Sequence, residues 1–86
     1  MIPHVREVQA LPDSKLRLTF DTSEVRIFDA GPYLSTGRFT RLQNEKLFAQ
    51  ARVAFGTVEW PSGLDFDPED LYGLSTADPQ SFTPDP

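Results

Sequence analysis

Hydrophobic and polar residues alternate most strictly over Lys15–Phe20, where Leu16, Leu18 and Phe20 share one side of an extended chain and Lys15, Arg17 and Thr19 the other. This pattern predicts a strand with one buried face. The β-branched residues of Val5–Leu11 predict a strand before it, ended by Pro12-Asp13-Ser14, where proline presets φ and Asp can bond its own backbone. Past Asp21-Thr22-Ser23, residues 24–28 alternate again. The reading puts Val25 and Ile27 in the core and Arg26 outward, giving an antiparallel three-strand meander whose polar face displays Arg17 and Arg26.

The period then changes. Gly31-Pro32-Tyr33-Leu34 predicts a single helical turn, with proline at the first helical position and Gly37 beyond its end, before Phe39 and Leu42 return to the core. Asn44 suits the cap of a helix over 45–51, with Glu45 at the positive end of its dipole and Leu47, Phe48 and Ala51 as its apolar stripe. Residues 53–55 and 58–60, joined through Gly56-Thr57, predict a second short hairpin that buries Phe55, Val58 and Trp60 and stops at Pro61-Ser62-Gly63. Asp67 caps a brief helix begun by Pro68 and anchored by Leu71 and Tyr72. The expected fold class is α+β: a small antiparallel sheet, meander plus hairpin, covered by one short helix, with a brief C-terminal helical turn. Residues 1–74 form this single domain, and 75–86, with three prolines and one large apolar residue, form a flexible acidic tail.

Composition narrows the chemistry. At 86 residues with 38% hydrophobic and 24% charged, the chain supports one thin core, which self-association into a homo-oligomer would extend. There is no cysteine, hence no disulfide, thiolate zinc site or cysteine nucleophile. Residues 1–6 lack the apolar stretch of a signal peptide, and no apolar run exceeds three residues, so a cytoplasmic protein without membrane contact is expected.

Charge is segregated along the chain. Residues 1–52 carry eight bases against six acids, net +2, whereas 53–86 carry seven acids and no base, net −7. General phosphate neutralisation, and with it nucleic-acid binding, is not expected of such a chain. The acidic part either docks on basic side chains of its own first half or steers a basic protein partner.

Candidate sites are few. Asp65, Asp67, Glu69 and Asp70 begin like a calcium loop, but Asp70 stands where the sixth-position glycine is required and Thr76 where the closing glutamate belongs, so capping and solubility explain them. His4 has no partners at triad spacing, and the glycines stand singly rather than as a phosphate cradle. No catalytic residue, cofactor or metal is expected. Trp60-Pro61-Ser62-Gly63 has two readings: a tryptophan closing the core before a turn, or a half-exposed Trp60 grouped with Tyr72 and Arg26 as at a binding hot spot. The candidate interaction surface is therefore Arg17, Arg26, Trp60, Pro61, Gly63, Asp65 and Tyr72.

Several stretches together resemble a known family. Leu16-x-Leu18-x-Phe20, Val25-x-Ile27-Phe28-Asp29, Pro32-Tyr33-Leu34, Leu47-Phe48, the run Thr57-Val58-Glu59-Trp60-Pro61-Ser62-Gly63-Leu64-Asp65-Phe66-Asp67-Pro68, and Leu71-Tyr72 are similar to domain-of-unknown-function family 2442, small bacterial proteins, over residues 4 to 74. The resemblance implies a small α+β domain with no assigned reaction. Some such proteins carry a helix-turn-helix after this domain, and neighbouring small genes imply toxin–antitoxin-like pairs. Two departures stand out: Thr22-Ser23 replaces the usual Asp-Gly or Asn-Gly, and Ser62 stands where Asn is common. Nothing helical is expected after Tyr72, so the DNA-binding role of two-domain relatives does not transfer. The function expected is a non-catalytic protein-interaction or regulatory module. The alternatives are a nucleic-acid-binding accessory domain using Arg6, Arg17, Arg26, Arg38 and Arg41, and a metal-dependent enzyme using the carboxylates of 65–70.

Overall fold

In the computed structural model, which describes residues 2–78, the chain runs β1 (Val5–Leu11), β2 (Lys15–Phe20), β3 (Val25–Asp29), two 3₁₀ segments (Gly31–Tyr33 and Gly37–Gln43), α1 (Glu45–Phe48), β4 (Arg52–Ala54), β5 (Thr57–Glu59), α2 (Pro68–Gly73) and β6 (Thr76–Ala77). Strands order as β1-β2-β3-β6 in an antiparallel sheet, and β4 and β5 form a separate hairpin. The fold is the expected α+β class, with the meander and the second hairpin in place.

The face presented by β3 is the reverse of the expectation. Leu16 pairs with Phe28 and Leu18 with Arg26, so Phe28 and Arg26 lie on the core face with Leu16, Leu18 and Phe20. Val25 and Ile27 lie opposite Thr19 and Arg17 on the other face. The cause is one residue of loop. A two-residue turn at Thr22-Ser23 would have set Val25 against Phe20. Instead the Phe20 N–H donates to Glu24 O at 2.9 Å and the Ser23 N–H to Phe20 O at 2.9 Å, closing a three-residue loop with Ser23 left-handed at φ 73°. A one-residue change of register exchanges the faces of a whole strand.

The same closure recurs later. The Trp60 N–H donates to Leu64 O at 2.8 Å and the Gly63 N–H to Trp60 O at 2.9 Å, with Gly63 at φ 94°. Proline at the second position and glycine at the left-handed one suit this turn followed by a bulge. It folds residues 64–66 back along β5: Asp65 bridges Glu59, the Phe66 N–H donates to Val58 O at 3.2 Å, and Thr57 Oγ1 donates to Phe66 O.

Phe66 consequently sits at the centre of the aromatic core, with ring centroids 4.8 Å from Phe39, 5.1 Å from Phe28 and 5.7 Å from both Tyr33 and Trp60. Flanked by two aspartates, Phe66 reads as a polar-loop residue in the sequence, and only the strand-like return of 64–66 reveals it. Asn44 caps α1 as expected, accepting from the Lys46 and Leu47 N–H groups. The helix is shorter than the expected 45–51 and follows a 3₁₀ segment, and Leu47, expected on its apolar stripe, is exposed, as is Tyr33.

Candidate functional site

Arg26 organises the first grouping. Its Nε donates to Ser75 Oγ at 2.7 Å and its NH2 to Ser75 O at 2.6 Å, its NH1 lies 3.6 Å from Glu24 Oε2, and its Cζ lies 4.7 Å from the Tyr72 ring centroid. The Tyr72 hydroxyl donates to the Glu24 carboxylate, with Oε1 at 2.9 Å and Oε2 at 3.0 Å, and its ring packs edge-on against Phe20. That hydrogen bond to Glu24, then desolvation, then the Glu24 charge raise the Tyr72 pKa above its ordinary value, and the Arg26 charge only partly opposes them. Every arm of Arg26 is thus engaged within the molecule. The group fastens α2 and the residues after it to β3, and the Asp78 N–H extends the attachment by donating to Val25 O at 3.0 Å. The domain limit drawn at residue 74 therefore falls short, since Ser75 to Asp78 are bound to β3; residues 79–86 of the expected tail lie outside the described residues.

Other members of the expected surface separate. Arg17 lies on the opposite face of the sheet from Arg26, with its Nε 2.8 Å from Asp78 Oδ2 and the N–H not aligned for a hydrogen bond. The two arginines therefore do not share a surface, and the five arginines considered for nucleic acid do not form one stripe. Trp60 is 1% exposed rather than half exposed, with its indole N–H donating to Phe48 O at 3.0 Å. Its ring neighbours are Phe48 and Phe66, whereas Tyr72 packs on Phe20. The hot-spot grouping of Trp60 with Tyr72 and Arg26 does not form; Arg26 and Tyr72 do meet. Pro61, Gly63 and Asp65 are exposed on the turn that follows.

The second grouping was not anticipated. Phe55, expected in the core, is 98% exposed and left-handed at φ 54°, and Gly56 beside it has φ 76°. Two consecutive left-handed residues between Ala54 and Thr57 define the two-residue hairpin turn that favours Asn-Gly, so a phenylalanine here is both strained and solvated. The tip is held in place, because the Val5 N–H donates to Gly56 O at 2.8 Å and a Cβ on Gly56 would lie 2.9 Å from His4 Cγ. Thr57 Oγ1 bonds Phe66 O next to the tip, so Asp67 follows close to the Phe55 end of the hairpin, and the exposed Glu69 and Asp70 lie in the first turn of the helix that Asp67 caps. The signal in the sequence was Phe-Gly where turn chemistry asks for Asn-Gly or Asp-Gly.

Charge segregation is partly resolved inside the molecule, through Arg17 with Asp78 and Arg52 with Glu59 at 3.1 Å. Among the described residues Arg6, Arg38, Arg41 and Lys46 are exposed and make no ion pair, and the same holds for Asp65, Asp67, Glu69 and Asp70. Among the described residues no three His, Asp or Glu side chains converge as a metal site requires, and no helix is long and apolar enough to cross a membrane.

A family model described as "Protein of unknown function (DUF2442)" matches residues 5–77. The chain belongs to this family. Members of family 2442 are thereby its relatives in sequence, and in this chain the Trp60 to Pro68 run builds the turn, the aromatic centre and the α2 cap. No curated protein matches the chain. Among solved structures it is similar to a candidate DNA-binding protein from Nitrosomonas europaea, at 30% identity and a TM-score of 0.69. The alignment covers 94% of this chain and 52% of that one, so this chain spans about half the length of that relative.

Proposed function

We propose that this member of family 2442 is a cytoplasmic, non-catalytic protein-interaction module, whose docking surface is the β4–β5 hairpin tip with the acidic start of α2 beside it. The observation carrying this reading is Phe55. A solvated aromatic held in left-handed backbone costs stability that Asn would not, and such strain is retained where it serves recognition. The flanking Asp67, Glu69 and Asp70 favour a partner with an apolar socket rimmed by basic residues. In its finer form, the partner is the product of a neighbouring small gene and this domain is the neutralising half of a toxin–antitoxin-like pair.

Affinity purification from the native cell with wild-type and Phe55→Asn baits tests the proposal. One stoichiometric basic protein should be retained by the wild type and be depleted at least about tenfold on the variant. Equal recovery on both baits, or no partner on either, overturns it. A second reading, nucleic-acid binding, is favoured by the Nitrosomonas europaea relative. Against it stand the placement of Arg17 and Arg26 on opposite faces and the acidic α2 start. A mobility shift at low salt that weakens steeply as salt rises would decide for it.

A further inference from the structure

We infer that the hairpin tip docks into a second copy of this chain, Phe55 of each copy seating in a pocket formed by Leu42, Leu47, Trp60 and Pro61 of the other. This rests on the reading of the tip as a docking surface and concerns the chain without its basic partner, with which a second copy would compete for the tip. The pocket has a volume of about 180 Å³, is mainly apolar, and is bordered by Arg41. An enclosed apolar cavity of roughly 150 Å³ accepts a benzene ring, so this surface pocket, whose mouth also carries Gln50 and Ser62, has room for a phenyl side chain. Leu47, one of its walls, is 41% exposed, an apolar residue with nothing yet upon it.

Charge and lining select this pocket over two roomier ones, of which that of about 270 Å³ is bordered mostly by polar side chains, Glu7, Gln9, Arg17 and Thr19. Arg38 and Arg41 are three apart on a 3₁₀ segment and so share its side, and Lys46 adjoins Leu47. These are among the bases that make no ion pair, and they complement Asp67, which follows the chain's return past Thr57, and the Glu69 and Asp70 of the turn it caps, none of them in an ion pair. The larger cavity, about 350 Å³ between the β1–β2 turn and α1, is bordered by Asp13 and Glu45, which would repel those same acids.

Plug and socket lie at opposite ends of one hairpin, since β5 carries the chain from the tip to Trp60 over three residues, about 10 Å. Two copies with hairpins apposed antiparallel about a two-fold axis seat both phenyl rings at once. The contact is therefore self-complementary and closes at a dimer.

Sedimentation equilibrium of the full chain, from micromolar to millimolar, tests this. The wild type should show a reversible monomer–dimer equilibrium. Phe55→Asn, which suits the left-handed tip and keeps the fold, should weaken it at least about 30-fold, as should Arg41→Glu at the exposed rim of the socket. An equimolar mixture of the two variants restores one intact plug and socket and should associate more tightly than either alone. A wild type monomeric throughout, species larger than dimers, a Phe55→Asn protein that associates like the wild type, or no gain on mixing overturns the inference. A monomeric wild type leaves the wider reading of the tip to the capture experiment, which compares baits at cellular concentration.

Discussion

Arg26 carries its guanidinium over the ring of Tyr72, Cζ 4.7 Å from the centroid, while the Tyr72 hydroxyl reaches back to Glu24, the residue just before the strand of Arg26. The pair joins β3 to the C-terminal end of α2 across 46 positions of sequence. Only 20% of the Arg26 side chain remains exposed, so its hydrogen bonds to Ser75 compete little with water. Arg26→Lys keeps the charge but loses the fork, and should cost about 1–2 kcal/mol in urea unfolding. Hydrogen exchange should accelerate at Asp78, whose N–H pairs with Val25 O.

Tyr72 makes stability depend on pH at the alkaline end. The folded state raises its pKa above the ordinary 10.0, because the hydroxyl proton is shared with Glu24 and a phenolate there would face a carboxylate. The contribution is complete below about pH 10, where the unfolded chain is also protonated, and is lost as pH rises through the higher folded-state value. Tyrosinate absorbance should show one tyrosine ionising late, and Tyr72→Phe should remove both that late titration and its share of the alkaline fall in unfolding free energy.

Phe66 holds the aromatic centre together. Phe66→Ala should cost about 3–5 kcal/mol, a large share of the roughly 5–10 kcal/mol expected of a domain this small. The single Trp60, buried and in ring contact with Phe66, reports it. Its emission should be blue-shifted and poorly quenched by iodide in the wild type, and red-shifted and readily quenched in the variant.

Ser23 bears a left-handed conformation that glycine adopts without strain. Ser23→Gly should raise stability by about 0.5–1 kcal/mol, the relief of strain exceeding the entropy that glycine adds to the unfolded chain. Gly56→Ala should act in the opposite sense, because its Cβ would be strained at φ 76° and would press on His4. Thermal unfolding of the two variants beside the wild type gives the signs directly.

Much was determined by the sequence by itself, because it depends on residues close along the chain: the strand periods, the Asn44 and Asp67 caps, the Pro61 to Gly63 turn, the absence of cysteine and the charge segregation. Tertiary structure decided which way those pieces face. Strict alternation at 24–28 is satisfied equally by burying Val25 and Ile27 or Arg26 and Phe28, and only the loop closed by Ser23 selects the second. Trp60 and Phe55, both expected in the core of the second hairpin, part ways for a related reason. The pattern marks both as large and apolar, but the bulged turn after Trp60 folds the chain back over its ring, whereas at the tight Phe55-Gly56 tip Val5 and His4 meet Gly56 and leave Phe55 exposed. Periodicity records that a residue is apolar; register and chain return decide whether anything packs against it.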